Sequence, residues 1–334
     1  MVTSRIDNVS AEMIACIRPL LENCRRPLVV SHIDPDGDAI GTQLALGEYF
    51  SRIGKTPALV RESSIPSKYQ FLPGVERIIP VSDVSAGAEY DLAVVLECPS
   101  PDRLGSVARL IGEQTTIINI DHHQDNVLEA EVSWVDVSAS SVGELAFEYF
   151  REIGFEIDPL IATDLYTAIL TDTGRFRFES TTSRTLTIAA DLVRAGADPR
   201  MITDRVYYDV DPAVMKLTGR LLAALEYFDS GRICIMPLTH TMLMETGADI
   251  ANTEGLVDYS LFTRGVNVGV LLREIDPGRT KVSLRSRNGI DIAAVAARWG
   301  GGGHRNAAGC TVKMALADTK RELVRLLQES NEAK

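Results

Sequence analysis

The chain of 334 residues lacks the features that mark several large classes of protein. Its five cysteines form no C-x-x-C pair and are odd in number, which argues against a disulfide framework or a zinc knuckle and favours a reducing compartment. No stretch approaches the ~18 consecutive apolar residues of a membrane span, and the first residues contain no apolar segment typical of a secretory signal. These absences predict a soluble cytoplasmic protein without a membrane partner.

Basic charge is also in short supply. The chain has 34 Lys and Arg residues against 46 Asp and Glu residues, a net charge of -12. Binding long duplex nucleic acid requires a broad basic surface, so this function is disfavoured. Small phosphorylated ligands stay compatible, because one local pocket or bound metal ions can offset their charge. The length, with 45% apolar residues, predicts two domains that each bury a core.

The first half of the chain alternates strands and helices. Short apolar runs that suit parallel strands buried on both faces occur at residues 27–31, 56–60, 90–97 and 115–121. Helical spacing of apolar residues predicts helices at 9–24, 39–54, 141–153 and 159–171. This order predicts an α/β fold with a doubly wound parallel sheet over residues 1–190, and an active crevice at the carboxyl ends of the strands.

The second half has a different pattern. Helices at 183–197 and 212–228 predict a helical linker over residues 191–230. A smaller α+β domain, residues 231–334, is expected to contain strands at 232–238, 265–275 and 280–287, a helix at 291–300, a glycine-rich loop and a final helix at 316–329. A homodimer formed through the linker is compatible with the sequence, although nothing in the sequence requires one.

Acidic and imidazole side chains follow the ends of three predicted strands and one helix. They are His32, Asp36 and Asp38, then Glu97, then Asp121, His122 and His123, and finally Asp172. Because the carboxyl ends of parallel strands share one edge, these side chains should converge. Carboxylate and imidazole without thiolate favour manganese over zinc. The number of candidate ligands exceeds the needs of one ion and predicts two, as in sites that activate water for phosphoryl chemistry.

Each of these short motifs has a simpler interpretation when it is taken alone. The stretch "DPDGD" (34–38) is typical of a turn followed by a helix N-cap, and Gly37 would supply the turn. A lone "DHH" (121–123) is a similarly weak signal, since short motifs often match by chance. Their coincidence at strand ends, with Asp172 downstream, favours the metal site.

Four motifs in succession resemble those of the DHH phosphoesterases, and among these the bacterial nanoRNase and pAp phosphatase group. They are "SHIDPDGDAIG" (31–41), "DHH" (121–123), "ILTDTGRFRF" (169–178) and "GGGGHRNAAG" (300–309). The resemblance implies a DHH domain with two divalent ions, normally Mn²⁺ with Mg²⁺ as an alternative, and a DHH-associated domain that holds the substrate. The implied activity is hydrolysis of very short oligoribonucleotides to mononucleotides, together with removal of the 3′-phosphate from 3′-phosphoadenosine 5′-phosphate.

The same resemblance implies a role for each acidic or imidazole residue. His32, Asp36 and Asp172 would hold one ion, Asp38 and His122 would hold the second, and residue 97 would bridge both. Asp121 and His123 would orient the ligands or position the attacking water.

Position 97 departs from the family pattern, which usually has Asp where this chain has Glu97. The following "DRLG" (102–105) still matches, so the alignment holds. Glu has the same charge and one more methylene, and it can bridge two ions if the strand ends slightly farther back. The alternative is that Glu97 only supports other ligands and that one ion binds tightly. We favour ligation, because a buried carboxylate is otherwise unpaired.

The run Gly300–Gly303 in the second domain is followed by His304 and Arg305. Glycines let backbone amides approach an anion closely. Ordering four glycines costs conformational entropy, which argues against the alternative of a simple turn. We expect His304 to donate to the scissile or the terminal phosphate and Arg285 to clamp a phosphate. The predicted substrate-binding residues are Arg285, Gly301, Gly302, Gly303, His304 and Arg305.

Two further questions stay open at this point. In "GRFRF" (174–178), Arg175 and Arg177 either contact phosphate beside stacking phenylalanines or point outward from a packed core. Two other functions are compatible with the sequence as a whole. One is a phosphodiesterase for linear or cyclic dinucleotides, and the other is a non-catalytic nucleotide-binding protein that lost turnover through Glu97.

Overall fold

The computed structural model of the protein describes residues 8–250, 253, 255–287 and 290–332. The chain divides into two compact units, Met1–Asp209 and Val210–Lys334. All five cysteines are free thiols, so no disulfide bond forms. Within the described ranges, none of the helices combines the length and the apolar character that crossing a bilayer requires.

The first unit contains a six-stranded parallel sheet in the order β3-β2-β1-β4-β5-β6. The strands are β1 (Pro27–Ser31), β2 (Ala58–Arg61), β3 (Ile78–Pro80), β4 (Leu92–Leu96), β5 (Thr116–Asp121) and β6 (Val132–Val135). The strand order reverses between β1 and β4, which is where a parallel sheet of this kind opens a crevice at its carboxyl edge. The predicted parallel α/β architecture is confirmed. The short edge strands β3 and β6 were not predicted.

The two faces of this sheet are covered differently. Val29 on β1 and Val94 on β4 belong to a large core shared with the helices. Their neighbours Leu28 and Val95 face a smaller core that includes Leu104, from the 3₁₀ segment Pro101–Leu110. Both central strands are buried at all five positions, which explains why they appear as continuous apolar runs in the sequence.

The helices of the first unit begin where the sequence supplies capping residues. They are α1 (Asn8–Asn23), α2 (Gly37–Arg52), α3 (Val142–Glu152), α4 (Pro159–Asp172), α5 (Ser183–Arg194) and α6 (Pro199–Thr203). The side chains of Asp36, Ser141 and Asp158 accept backbone hydrogen bonds at the starts of α2, α3 and α4. The starts of α2, α3 and α4 are therefore set by local signals in the sequence.

Two glycines allow these helices to pack closely at the carboxyl edge of the sheet. A Cβ atom on Gly37 would lie 2.4 Å from Oγ1 of Thr171, one residue before the end of α4. A Cβ atom on Gly143 would lie 2.6 Å from the Cβ atom of Ala168. Gly37 is thus the first residue of α2, and it lies where α2 contacts α4 closely. The interpretation of Gly37 as a simple turn residue is therefore incomplete.

The second unit contains a mixed six-stranded sheet in the order β11-β12-β10-β9-β8-β7, in which only the β8–β9 pair is parallel among the described pairings. Its strands are β7 (Glu226–Phe228), β8 (Ile233–Leu238), β9 (Val268–Asp276), β10 (Arg279–Ser286), β11 (Gly302–His304) and β12 (Ala307–Val312). Its helices are α7 (Pro212–Ala223), α8 (His240–Thr246), α9 (Ala293–Ala297) and α10 (Leu316–Glu332). The predicted α+β character of this part is confirmed.

Three expectations for the second half need correction. The helix predicted at 212–228 ends at Ala223, because residues 226–228 pair with β8 as an edge strand. The helix predicted at 291–300 is limited to Ala293–Ala297. Residues 302–304, predicted as part of a loop, form strand β11.

The residues of the predicted linker, 191–230, contribute to two separate cores. Leu192 and Ile202 pack into the core of the first unit. Leu217 and Leu221 of α7 pack into a core of the second unit with Leu238.

Candidate metal centre

The carboxyl ends of β1, β4 and β5 and the end of α4 bring the predicted metal ligands together. Donor atoms from these residues form three groups, in each of which all atoms lie within 4.8 Å of one another. The groups are His32 with Asp36 and Glu97, Asp38 with His122 and Asp172, and Glu97 with His122 and His123. Asp34 is exposed and is absent from these groups. The predicted ligands therefore converge because the carboxyl ends of the parallel strands share one edge of the sheet.

Among the carboxylates of these groups, Glu97 alone belongs to two of the three, and His122 is the imidazole that does so. Oε2 of Glu97 lies 3.6 Å from Nε2 of His32, and its Oε1 lies 4.0 Å from Nε2 of His122. The side chain is only 2% exposed, and Oε2 has no hydrogen-bond partner within the described residues. The backbone of Glu97 is left-handed, with φ of 52°, a conformation that costs a non-glycine residue about 1–3 kcal/mol. The fold thus holds a strained residue with a desolvated carboxylate between two imidazoles.

The first group is built from the loop that links β1 to α2. Nδ1 of His32 lies 2.5 Å from the carbonyl oxygen of Ile33, so a proton on Nδ1 leaves Nε2 to face Glu97. Oδ1 of Asp36 accepts the N–H groups of Asp38 and Ala39 at 3.0 and 3.1 Å. Burial lowers the pKa of His32. Burial alone would raise the pKa of Asp36, but His32 and the Ala39 amide outweigh it and lower that pKa.

Asp38 is fully buried and binds the start of another helix. Its carboxylate accepts the backbone N–H groups of Val142 at 2.6 Å and Gly143 at 2.8 Å, and the hydroxyl of Thr42 at 3.2 Å. The start of α3 therefore faces the site, where its positive dipole end stabilises the carboxylate. Burial nevertheless raises the pKa of Asp38 to about 6, against the opposing effect of His122.

Asp121 orients the second histidine of the "DHH" motif. Its Oδ1 lies 2.7 Å from Nδ1 of His123 and accepts the His122 N–H at 2.7 Å, while Asn126 donates to Oδ2. Burial acts to raise the pKa of Asp121, but His123 and Asn126 lower it to about 2. This ionised carboxylate fixes the ring of His123, whose other nitrogen then belongs to the group around Glu97.

Asp172 falls into a different group from the one that the family resemblance implies. Its Oδ2 lies 3.4 Å from Nε2 of His122, and it groups with Asp38 rather than with His32 and Asp36. The reason is that α4 packs directly against α3 through Ala168 and Gly143, one turn before Asp172. Burial together with the charge of Asp38 holds the pKa of Asp172 well above its ordinary value.

The donor set fits divalent cations. Five carboxylates share this buried region, and burial with the charges of Asp36, Asp38 and Asp172 holds the pKa of Glu97 well above its ordinary value. A cation would relieve that repulsion. Donor atoms 3.4 to 4.0 Å apart can both reach one ion with bonds of about 2.0–2.2 Å. Oxygen and imidazole donors without thiolate suit a catalytic divalent cation better than a structural zinc ion.

The register of the mixed sheet relates two of the predicted substrate-binding residues. Ala307 on β12 pairs with Arg285 on one side and with His304 on the other. The side chain of His304 lies outside what the structure describes. Arg285 makes an ion pair with Asp258 at 3.3 Å, and Arg305 lies in the exposed turn between β11 and β12.

The glycines of this region are explained in part by packing. A Cβ atom on Gly301 would lie 2.2 Å from the carbonyl oxygen of Gly309, and one on Gly303 would lie 2.5 Å from that of Ala307. Gly303 also has a φ of 132°, which disfavours other residues. In contrast, a Cβ atom on Gly302 would meet nothing within 4 Å. At Gly302, therefore, a ligand can approach the backbone, and packing does not explain why the residue is glycine.

The loop after Asp172 carries unusual backbone strain. Gly174, Arg175 and Phe176 all have positive φ angles. The ring of Phe176 packs 6.1 Å from that of Tyr166 against the core of the first unit, and the Arg175 guanidinium lies 4.6 Å from the ring centre of Tyr207. For these two residues, the packing interpretation of "GRFRF" agrees with the contacts.

Two residues beside the candidate metal centre were not predicted from the sequence. Asn126 holds Asp121, and its position three residues after His123 was the available signal. Arg103 places Nη2 2.9 Å from Nδ1 of His32. Arg103 follows Glu97 by six residues and belongs to "DRLG" (102–105), a match to the family pattern to which no role was assigned.

Comparison with known proteins agrees with this geometry. Residues 26–169 match the DHH family N-terminal domain, and residues 236–333 match the DHHA1 domain. The chain is 33% identical to the "Bifunctional oligoribonuclease and PAP phosphatase NrnA" of Thermus thermophilus over 315 residues, which cover 94% of this chain and 92% of the relative. The chain therefore belongs to the DHH family and is an enzyme that hydrolyses phosphoester bonds.

Two solved structures share the fold. An exopolyphosphatase-related protein from Bacteroides fragilis superposes with a TM-score of 0.91 at 24% identity, covering 97% of this chain and 98% of that one. RecJ from Thermus thermophilus in complex with Mn²⁺ superposes with a TM-score of 0.53 at 13% identity, covering 97% of this chain and 55% of that one.

Proposed function

We propose that this enzyme hydrolyses the phosphodiester bonds of very short oligoribonucleotides to release mononucleotides, and that it removes the 3′-phosphate of 3′-phosphoadenosine 5′-phosphate. The observation that carries the proposal is the position of Glu97, a buried carboxylate shared by two groups of metal-ligand atoms. The name of the 33% identical relative supports this substrate class.

We propose two divalent ions, with Mn²⁺ as the preferred metal and Mg²⁺ as the alternative. The six expected ligands are His32, Asp36, Asp38, Glu97, His122 and Asp172, with Glu97 as the bridge. Such ions activate water for attack on phosphorus and stabilise the entering and leaving oxygens. The RecJ structure, which shares the fold, was solved with Mn²⁺.

The chain prepares this site before any ligand arrives. The amides at the start of α3 hold Asp38 and prevent it from turning away. The Ile33 carbonyl accepts the Nδ1 proton of His32, and Asp121 accepts that of His123, so both rings present Nε2 to the cluster. We assign Asp121 and His123 to orienting ligands and the attacking water.

The second unit is proposed to bind the nucleotide. Arg285 on β10 is the expected phosphate clamp, and the Gly301–Gly303 backbone with His304 and Arg305 completes the contact. Arg285 is about one-quarter exposed and is held by a single carboxylate, Asp258, so a phosphate can compete for it. A small set of phosphate contacts of this kind suits substrates of two to five nucleotides, and the net charge of -12 disfavours long RNA.

The test is chromatography of the products formed from a panel of RNAs of two to five nucleotides, a 20-nucleotide RNA, linear and cyclic dinucleotides, and 3′-phosphoadenosine 5′-phosphate. Each substrate is incubated with Mn²⁺, with Mg²⁺ and with chelator. We expect mononucleotides from the short RNAs and AMP from the bisphosphate, in the metal samples only.

His122→Ala should abolish both activities, whereas Asp34→Asn should retain them because Asp34 is exposed and outside the ligand groups. Inert short RNAs and inert bisphosphate in the presence of Mn²⁺ would contradict the proposal. Cleavage of dinucleotides alone would redirect it to a dinucleotide phosphodiesterase. Binding without hydrolysis, with turnover gained by Glu97→Asp, would identify a non-catalytic nucleotide-binding protein.

A further inference from the structure

Arg103 stands beside the candidate metal centre without belonging to any of its ligand groups. It lies in the 3₁₀ segment Pro101–Leu110, which follows β4 and Glu97. Its carbonyl oxygen accepts the N–H of Ile33 at 2.7 Å, and its Nη2 lies 2.9 Å from Nδ1 of His32. The backbone contact fixes Arg103 next to the loop that carries His32.

The contact with His32 cannot persist when His32 binds a metal ion through Nε2. A neutral imidazole that ligates through Nε2 carries its proton on Nδ1, and the Ile33 carbonyl at 2.5 Å is the acceptor for that proton. The Nη2 of Arg103 is also a donor, so two N–H groups would then face each other. In the metal-binding tautomer, the guanidinium therefore loses its acceptor on His32.

Within the described residues, Arg103 also has no carboxylate partner. Five carboxylates converge close by, yet Arg103 takes part in none of the ion pairs that the described side chains form. Its Nε is buried and has no hydrogen-bond partner there. The side chain as a whole is only partly buried, so a ligand can reach it. A cation with unused donors at the rim of an anionic, metal-binding site is suited to a ligand that brings its own negative charge.

We propose that Arg103 binds a non-bridging phosphoryl oxygen of the substrate at the metal centre. This inference rests on the proposed function, since it deepens the account of the same site. The planar guanidinium can offer two parallel N–H groups to a phosphate, which a lysine ammonium cannot do. Arg103 thereby supplies the first unit with a phosphate contact of its own, in addition to those expected from the second unit.

The test compares Arg103→Gln and Arg103→Lys with the control Arg109→Gln. Arg109 lies in the same 3₁₀ segment, but its Nη2 donates to the Val81 carbonyl at 3.0 Å. Calorimetry measures Mn²⁺ binding to each variant, and then AMP and adenosine binding to the Mn²⁺-loaded protein. Arg103→Gln should bind Mn²⁺ as the wild type does and should lose about 10- to 100-fold in affinity for AMP, as expected for a lost charged hydrogen bond.

Adenosine binding should not change in any variant, because adenosine has no phosphate. Arg103→Lys should recover only part of the AMP affinity, and Arg109→Gln should behave as the wild type. AMP affinity unchanged in Arg103→Gln would overturn the proposal. Parallel loss of Mn²⁺ and AMP affinity would also overturn it, since Arg103 would then act by positioning His32.

These binding measurements separate the inference from the proposed function. If the wild type binds AMP through Arg103 but hydrolyses no RNA and no bisphosphate, the proposed function fails and the phosphate contact stands. If hydrolysis proceeds normally in Arg103→Gln, the proposed function stands and the phosphate contact fails.

Discussion

The two sheets of this protein handle charge in opposite ways. At the carboxyl edge of the parallel sheet, carboxylates such as Asp38 and Glu97 are buried, and burial raises the pKa of both. In the second unit, Arg285 on β10 and Asp258 in the 3₁₀ segment Leu256–Phe262 remain about a quarter exposed and neutralise each other as a pair. The first arrangement is unfavourable without a cation, whereas the second is already balanced.

The difference follows from topology. Repeated β–α connections place the carboxyl ends of all parallel strands along one edge, so short polar turns after separate strands meet there. In the second sheet, neighbouring antiparallel strands end on opposite edges, so Arg285 and His304 are related through their cross-strand pairing with Ala307. Concentrated buried charge marks the expected metal site, and paired surface charge marks the expected binding surface.

The largest effect on kcat/KM should come from neutralising a buried carboxylate of the site, compared with the same substitution at a nearby exposed carboxylate. We expect Asp38→Asn to lower kcat/KM by at least about 100-fold, because even groups that only support metal ligands are worth 10- to 100-fold. Asp34→Asn should leave kcat/KM unchanged. Steady-state rates on a dinucleotide with Mn²⁺ measure both, and circular dichroism checks that each variant is folded. Equal losses in the two variants would show that burial does not distinguish them.

In the mixed sheet, neighbouring glycines should differ sharply in stability. Gly301→Ala should destabilise the protein by about 1–3 kcal/mol, since its Cβ atom would overlap the Gly309 carbonyl. Gly302→Ala should change the free energy of unfolding by less than about 1 kcal/mol, because its Cβ atom meets open space. Urea denaturation measures both. A raised KM in Gly302→Ala alone would support phosphate binding along this backbone, and equal stability losses would refute the packing argument.

The next effect concerns the charge of the metal-free site. For Asp38 and Glu97, the folded state binds protons more tightly than the unfolded state, so their contribution to stability falls as pH rises. For Asp38 this window runs from about pH 4 to about pH 6, and Glu97 extends it upward. Asp121, with its pKa lowered to about 2, acts oppositely below about pH 4. In chelator, the stability contributed by Asp38 and Glu97 should therefore fall above about pH 4, while His32, whose pKa burial lowers, acts in the opposite sense as the pH rises to about 6.5.

Glu97→Gln isolates the role of the central carboxylate. Without metal at pH 7 to 8, we expect this variant to be more stable than the wild type, because it lacks the buried carboxylate that burial and the charges of Asp36, Asp38 and Asp172 disfavour. Thermal melts in chelator and in Mn²⁺ measure the change. The stabilisation by Mn²⁺ should shrink in the variant, and an unchanged response to Mn²⁺ would rule out Glu97 as a bridging ligand.

The smallest effect should come from the Arg285–Asp258 pair. The pair is about a quarter exposed, and asparagine keeps an oxygen that can accept from Arg285, so Asp258→Asn should change stability by only about 1 kcal/mol. If Arg285 binds phosphate, releasing it should lower KM by a few-fold. Asp276→Asn is the matched control, because its partner Arg279 is outside the predicted substrate-binding set. A KM that stays the same in both variants would remove Arg285 from that set.

Much of the first unit was predictable from sequence because its signals are local. The apolar runs of β1 and β4 identify strands buried on both faces, and Asp36 and Asp158 mark the starts of α2 and α4. Strands β3 and β6 were not predicted, because they are short edge strands that mix polar and apolar residues. Residues 226–228 were assigned to a helix because their helical spacing is plausible locally, and only pairing with β8 makes them a strand.

The sequence by itself determined which chemical groups this protein brings to one place. Strand ends with carboxylate and imidazole side chains must meet at one edge once the strands are parallel, and the alternation of short apolar runs with helices predicts that they are. The tertiary structure decided how those groups are arranged. Asp172 joins Asp38 because α4 packs on α3, Asp38 is held by the amides of α3, and Arg103 approaches His32 from a segment 71 residues later. Such pairings depend on helix packing and loop conformation, which bring together residues that are distant in the chain and leave no local pattern in it.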